Sequence, residues 1–242
     1  MNELTVRLRR WLWTLRYTPL HPQWFAYLQE RRRLRWAAKV ARGAILDVGS
    51  AEERIEPMLP TGCDYFALDY PGSAYAARPD VFGHAQHLPF RDGSFDTVLL
   101  MEVLEHLPDP GAALREVGRV LRPAGRVVLS TPFLYPIHDA PGDFRRWTVH
   151  GLEQLSTDAG FSFERPALRG SPLQTGALLF NLGLAWQATH VGGWRKAPMI
   201  ALAAAIVPAV NLVAWLLAAV AGPVDRHPMP SGYNWVLRKR AL

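Results

Sequence analysis

The chain has 242 residues, 49% hydrophobic and 20% charged. That is enough to bury the core of one α/β domain with an addition, and too apolar for a disordered polymer. Its one cysteine, Cys63, excludes an internal disulfide and a cysteine-cluster metal site and suits a reducing compartment. The net charge of +6 is uneven: residues 1–42 carry ten Lys/Arg against Glu3 and Glu30 (+8), and the rest seventeen against nineteen (−2). A basic arm of this kind implies an anionic surface as partner, either a membrane face or nucleic acid.

In chain order, Leu4, Leu8, Trp11, Leu12 and Leu15 share one helical face, with Arg7, Arg9, Arg10 and Arg16 among them. These arginines interrupt every apolar run, and no small-residue cleavage site follows, so the segment does not read as a signal peptide. Pro19 and Pro22 end this helix, and residues 23–41, with Arg31-Arg32-Arg33, predict a second one. Arg with Trp and Leu on a helix suits a membrane interface; the alternative is a helix packed on the domain with a solvated basic face. From Ala44 short apolar runs alternate with helical segments. Ala44–Val48, Tyr65–Asp69, Asp96–Met101 and Arg126–Thr131 predict buried parallel strands. Gly111–Leu121 predicts a helix closed by Arg122-Pro123-Ala124-Gly125. Thr148–Ala159 predicts another, with Thr148 as N-cap and Gly160 just past its end. The alternation argues for a doubly wound sheet.

After Arg169 the pattern changes. Arg195 and Lys196 are the only formal charges before Asp225, and they lie in a turn between two apolar segments, Pro172–Val191 and Ala197–Val224. The second is long enough to cross a bilayer. A spanning hairpin would carry Arg195 and Lys196 to the far side, against the positive-inside tendency, so shallow insertion fits better; a soluble lid or dimer interface is the alternative. Tyr233–Lys239 predicts a closing strand, which makes the apolar pair an insertion before the last strand.

Three motifs stand out: Ile-Leu-Asp-Val-Gly-Ser at Ile45–Ser50, the run from Gly83 through Met101-Glu102-Val103-Leu104-Glu105-His106 to Phe133, and His138-Asp139 followed by Gly142-Asp143-Phe144-Arg145-Arg146-Trp147-Thr148. Together they resemble the class I S-adenosylmethionine-dependent methyltransferases of the branch that methylates small molecules, lipids and glycans. The third motif is similar to a segment of methyltransferases from bacterial cell-envelope polysaccharide pathways. The resemblance covers about residues 42–163 and the last strand. It implies a Rossmann-like, mostly parallel seven-stranded sheet and S-adenosylmethionine as cofactor. The expected layout is a basic helical arm over residues 1–42 and a methyltransferase domain over 43–242, with 171–224 as an apolar helical insertion.

By this resemblance the cofactor is held by Asp47, Gly49 and Ser50 after the first strand. Asp69 accepts from the ribose hydroxyls, and Tyr70 stacks on adenine. His84 and Ala85 stand where the family has an adenine-contacting Asp, and Met101 and Glu102 follow the fourth strand. Glycine suits position 49 because a Cβ would clash or forbid the dihedrals. Ala51 and Glu53 replace two glycines of the family pattern. His138 is the leading general base because its ordinary pKa is near neutrality, with Asp139 or Asp143 to orient it and His106 as a second choice. Arg145 can hold an anionic substrate group, or the Asp143–arginine pair can simply stiffen the loop. No metal is expected.

These readings converge on O-methylation of a membrane-associated glycan or lipid acceptor, in the cytoplasm at the inner face of the cytoplasmic membrane. A quinone is a close variant. A non-catalytic binding or scaffold protein on the same fold is the rival that Ala51, Glu53 and His84 motivate. A nucleic-acid methyltransferase suits the basic arm, but Met-Glu-Val-Leu-Glu-His after the fourth strand is not the Asn/Asp-Pro-Pro-Tyr/Phe run of base-methylating enzymes.

Overall fold

The computed structural model describes residues 13–51, 55–72, 78–164 and 166–240. Most of the helix expected over residues 1–17 lies outside them, as does Glu53. The chain divides into two compact units.

One unit comprises residues 33–133, 137–167 and 232–242. Its sheet contains β1 (Ala44–Val48), β2 (Asp64–Asp69), β3 (Val81–Phe82), β4 (Phe95–Met101), β5 (Leu121–Pro132), β6 (Phe161–Phe163), β7 (Ala167–Arg169) and β8 (Gly232–Lys239). Seven strands run in the order β3-β2-β1-β4-β5-β8-β6, and the short β7 also pairs with β8. The expected count of seven is met along this path; β7 is the eighth strand, too short to leave an apolar pattern in the sequence. β1 is parallel to both neighbours, with Leu46 opposite Phe66 and Val98. β5 is parallel to β4, while β8 runs antiparallel to β5, with Trp235 opposite Leu129.

The central strands are continuously apolar because both their faces are covered. Leu46, Val98, Leu100, Val127 and Leu129 pack on one face with Leu114, Val117, Leu152 and Phe161. Ile45, Leu99 and Val128 pack on the other with Ala37 and Ala38 of helix α1 (Trp24–Val40) and with Ala41 just past its end. Helix α2 (Pro110–Val120) starts at Asp109, whose side chain accepts from the Ala112 N–H, with Pro110 in its first turn. Its end differs from expectation. The chain enters β5 directly at Leu121, which pairs with Phe95 ahead of a register irregularity. Arg122-Pro123-Ala124-Gly125 therefore lie within the strand rather than in a loop, with Ala124 at φ +60. Helix α3 (Val149–Asp158) is capped by Thr148, which accepts from the Gly151 N–H, and Gly160 follows at φ +86.

Among the described residues, the other unit comprises 13–32, 134–136 and 168–231. Helix α4 (Pro172–His190) opens with a reciprocal cap between Ser171 and Gln174, and helix α5 (Lys196–Ala221) ends at Gly222, φ +73. The two helices coincide with the two apolar segments. Ala203, Val207, Asn211 and Ala214 form the buried face of α5. Trp24 and Phe25 of α1 pack with Ala177 and Ala214. The two asparagines of this helical pair turn inward, while Gln187 and His190 of α4 are exposed. Asn181 Nδ2 donates to Asn211 Oδ1 (2.9 Å), and Asn211 Nδ2 donates to the carbonyls of Pro19 (2.7 Å) and His21 (3.1 Å). From Ala201 to Ala221, by contrast, every exposed residue of α5 is apolar, including Leu212, Val213, Trp215, Leu216, Leu217 and Val220.

Asn211→Ala strips a buried amide from three partners. It is expected to destabilise the fold by about 1–3 kcal/mol, measured by urea unfolding of the full chain.

Candidate active site

The site forms where the parallel strands end. Gly49 follows β1 at φ +76, and its N–H donates to the Leu68 carbonyl at 2.8 Å. A Cβ there would lie 2.7 Å from Val103 Cγ2, so both space and backbone conformation require glycine. Ser50 is buried, and its N–H also reaches Leu68 O (3.3 Å). Ala51 keeps a left-handed conformation, φ +47, although it is not glycine; this costs about 1–2 kcal/mol. The cost is offset locally, because the Ala51 N–H donates to Asp69 Oδ2 at 2.8 Å. Asp69 ends β2 buried, and its Oδ1 accepts from the Tyr70 N–H at 2.7 Å. Each oxygen keeps lone-pair capacity for a further donor. Asp47, inside β1, accepts from the Tyr65 hydroxyl at 2.6 Å.

Around this turn, Tyr70 and His84 are both exposed and lie against each other, with ring centroids 4.5 Å apart, and Ala85 is buried beneath. Met101 ends β4. Glu102 follows at φ +59, its N–H donating to Ser130 O, and its carboxylate lies 3.2 Å from Arg33 Nη1. Of the Arg31-Arg32-Arg33 run, Arg31 and Arg32 are exposed while Arg33 turns inward. Arg33 is buried and serves Glu102.

A second cluster is built on Asp143. Its side chain is 1% exposed, and it takes Arg146 in a two-pronged pair, Nη1 to Oδ1 at 2.5 Å and Nη2 to Oδ2 at 2.6 Å. Oδ2 also accepts from the His138 N–H (2.9 Å) and lies 3.1 Å from His138 Nδ1. Burial pushes the Asp143 carboxyl upward, but the Arg146 guanidinium and the donors of His138 outweigh it and hold it at about 2. Arg146 Nη2 lies 3.3 Å from the same Nδ1. Because Arg146 is already spent on Asp143 and the carboxylate is nearer, we assign the Nδ1 proton to the Asp143 bond. His106 Nδ1 lies 3.0 Å from the Gly142 carbonyl, which can only accept, so its Nε2 carries the lone pair. The His106 and His138 rings meet edge to face, with centroids 5.1 Å apart.

Asp143 thus orients His138. Asp139 next to it occupies a turn at φ +50, and its carbonyl accepts from the Gly142 N–H. Arg145 is bonded to backbone. Its guanidinium donates to the carbonyls of Leu107 (2.6 Å) and Pro108 (2.8 Å) and ties the loop down. Two residues go unassigned by sequence reasoning, Arg146 and the fully buried Glu105. Glu105, His106 and His138 offer ligand atoms within 4.8 Å of one another, a donor set of divalent-cation type that the sequence reading does not make. Here the positive charge facing Glu105 comes from Arg146.

Residues 46–129 match the family model of a methyltransferase domain. Among curated relatives, a ubiquinone biosynthesis O-methyltransferase of Xanthomonas euvesicatoria is 33% identical over 129 residues, 47% of this chain and 52% of that protein. A demethylmenaquinone methyltransferase of Mycolicibacterium vanbaalenii is 49% identical over 65 residues, 25% of this chain and 28% of that protein. The chain spans about half or less of the length of such relatives. Among solved structures, a methyltransferase of Thermotoga maritima aligns with TM-score 0.54 at 15% identity, over 98% of this chain and 96% of that one. A toxoflavin-precursor N1-methyltransferase of Burkholderia thailandensis, solved with bound S-adenosylhomocysteine, aligns with TM-score 0.51 at 17% identity, over 88% and 79%. The fold is that of these methyltransferases, and the domain match supports S-adenosylmethionine as the cofactor. The residues fit that group: a glycine the turn cannot replace exposes backbone after β1, and a buried carboxylate with spare acceptor capacity ends β2.

Asp143 is depressed relative to an ordinary carboxyl near 3.9, so its stabilisation is complete above about pH 4 and is lost as pH falls toward 2. The stability difference between the native chain and Asp143→Asn should therefore shrink across that window, measured by denaturant unfolding at stepped pH.

Proposed function

We propose that the protein is an S-adenosylmethionine-dependent methyltransferase that O-methylates a membrane-associated lipid or glycan at the inner face of the cytoplasmic membrane. The observation that carries methyl transfer is the pairing of Asp69 with the left-handed turn at Gly49, inside the stretch that matches a methyltransferase domain. Asp69, Gly49, Ser50, Met101 and Glu102 would hold the cofactor, with Tyr70 and His84 at the adenine side. When bound, the cofactor supplies an electrophilic methyl group on a sulfonium sulfur. The protein's task is alignment, removal of a proton and exclusion of water. His138, held through Nδ1 by Asp143, presents Nε2 to the acceptor hydroxyl and takes its proton. Asp143 stabilises the resulting imidazolium, and His106 flanks the same position.

The membrane-associated acceptor is supported by α5. Its span is long and apolar enough to cross a membrane, and only 22% of its most apolar window is buried, unlike the core helix of a soluble domain. A face this apolar marks an interaction surface. Trp186 on α4 and Trp194 in the turn, both exposed, suit the headgroup level. The turn charges Arg195 and Lys196 favour lying in one leaflet over crossing. A quinone is the second reading, favoured by the quinone-pathway names of the two relatives above.

Titration calorimetry with S-adenosylhomocysteine tests the cofactor site. Micromolar binding is expected, weakened about tenfold or more by Asp69→Asn, which removes a charged acceptor. No binding by the folded chain would favour the non-catalytic scaffold. Membrane contact is tested separately. Sedimentation with phosphatidylglycerol vesicles should fall about tenfold or more in a Leu216→Asp, Leu217→Asp variant, since both side chains are exposed and their burial in lipid is lost. Unchanged sedimentation would rule α5 out as the lipid contact.

A further inference from the structure

A cavity of about 490 Å³ opens at the opposite edge of the sheet from Asp69, lined among others by Trp36, Lys39, Arg42, Arg126, Glu164 and Arg238. Four cations there face one carboxylate. That carboxylate is taken: Glu164 Oε1 accepts from Arg238 Nε (2.8 Å) and Nη2 (2.5 Å). Arg126 is the anomaly. It is 7% exposed, its Nε has no hydrogen-bond partner, and its guanidinium makes a single long contact, Nη1 to the Val40 carbonyl at 3.5 Å. It also sits directly opposite Arg238 in the antiparallel β5–β8 register, where like charges repel. Arg42 has Asp96 nearby, but that carboxylate is engaged by Arg122 (2.6 Å) and the Ala44 N–H (2.9 Å). Lys39 is exposed and makes no ion pair among the described residues.

A buried guanidinium without a carboxylate, opposite a second one, is costly unless an anion completes it. Guanidinium forks match phosphate oxygens in pairs, and the cavity lies within the size range of small-ligand sites. We propose that this cavity binds a phosphate-bearing anion, with Arg126 at its floor, Lys39 and Arg42 at its mouth and the Trp36 indole along one wall. The site lies apart from the methyl-transfer residues and does not rest on their assignment. The phosphate group belongs either to a soluble compound or to an anionic lipid headgroup.

The test uses the full chain, with pyrophosphate as probe and potassium chloride at matched ionic strength as control. Calorimetry should give one site with a dissociation constant below about 1 mM. Lys39→Ala and Arg42→Ala, which alter exposed side chains, should each weaken it several-fold, and Arg126→Gln should weaken it by about tenfold or more. Circular dichroism melts without ligand check that each variant is folded. If pyrophosphate also displaces the chain from phosphatidylglycerol vesicles but not from phosphatidylcholine vesicles, the ligand is a headgroup. If pyrophosphate binds and vesicle association is unchanged, the ligand is a soluble phosphate compound. Absence of pyrophosphate binding, or binding that Lys39→Ala and Arg42→Ala leave unchanged, overturns the proposal.

Discussion

The parallel pairing of β1 between β2 and β4 is the constraint on which the rest depends. Parallel strands must all enter from one edge, so they all finish at the other. Gly49, Asp69 and Glu102 are distant in sequence, and the register places them together at the finishing edge. Because both faces of these strands are packed, a slip of one residue would exchange the two buried faces and set every core side chain against the wrong neighbours. The sites are therefore held by hydrophobic burial rather than by their own hydrogen bonds. This is why a left-handed alanine at position 51 is tolerated: the sheet imposes the turn, and Asp69 secures it.

The cluster at Asp143 is organised differently, by electrostatics in a loop. Asp143 is buried and ionised, and it survives there only because Arg146 and the two nitrogens of His138 converge on it. The same carboxylate that orients one imidazole also anchors the loop whose Gly142 carbonyl orients the other. One set of bonds thus both stiffens the loop and orients its imidazoles. The alternative of a merely stiffened loop and that of an oriented base are two descriptions of one network.

The two compact units solve the problem of polar groups in opposite ways. In the sheet unit, charges gather at the strand ends, where ligands bind. In the helical unit, Asn181 and Asn211 turn inward to each other and to backbone carbonyls, while α5 shows an apolar exterior. Inward polarity with an apolar outer surface is what a hydrocarbon surrounding favours, since an unpaired amide is costly there.

Periodicity and turn chemistry in the sequence were enough to determine the alternating elements, the caps at Thr148 and Gly160, the two apolar helices, and Gly49 and Asp69 as strand-end residues. These are local properties, set by side-chain spacing and backbone dihedrals. The pairing of Arg33 with Glu102, the contact of Asp143 with His138, the use of Arg145 on backbone carbonyls and the meeting of Glu105, His106 and His138 were decided only in three dimensions. So was the unpaired Arg126 opposite Arg238. In each case several groups of the same chemistry lay within reach along the chain, and nothing in their spacing ranks them. The selection is made by which loops and strands the closed sheet brings within hydrogen-bond distance.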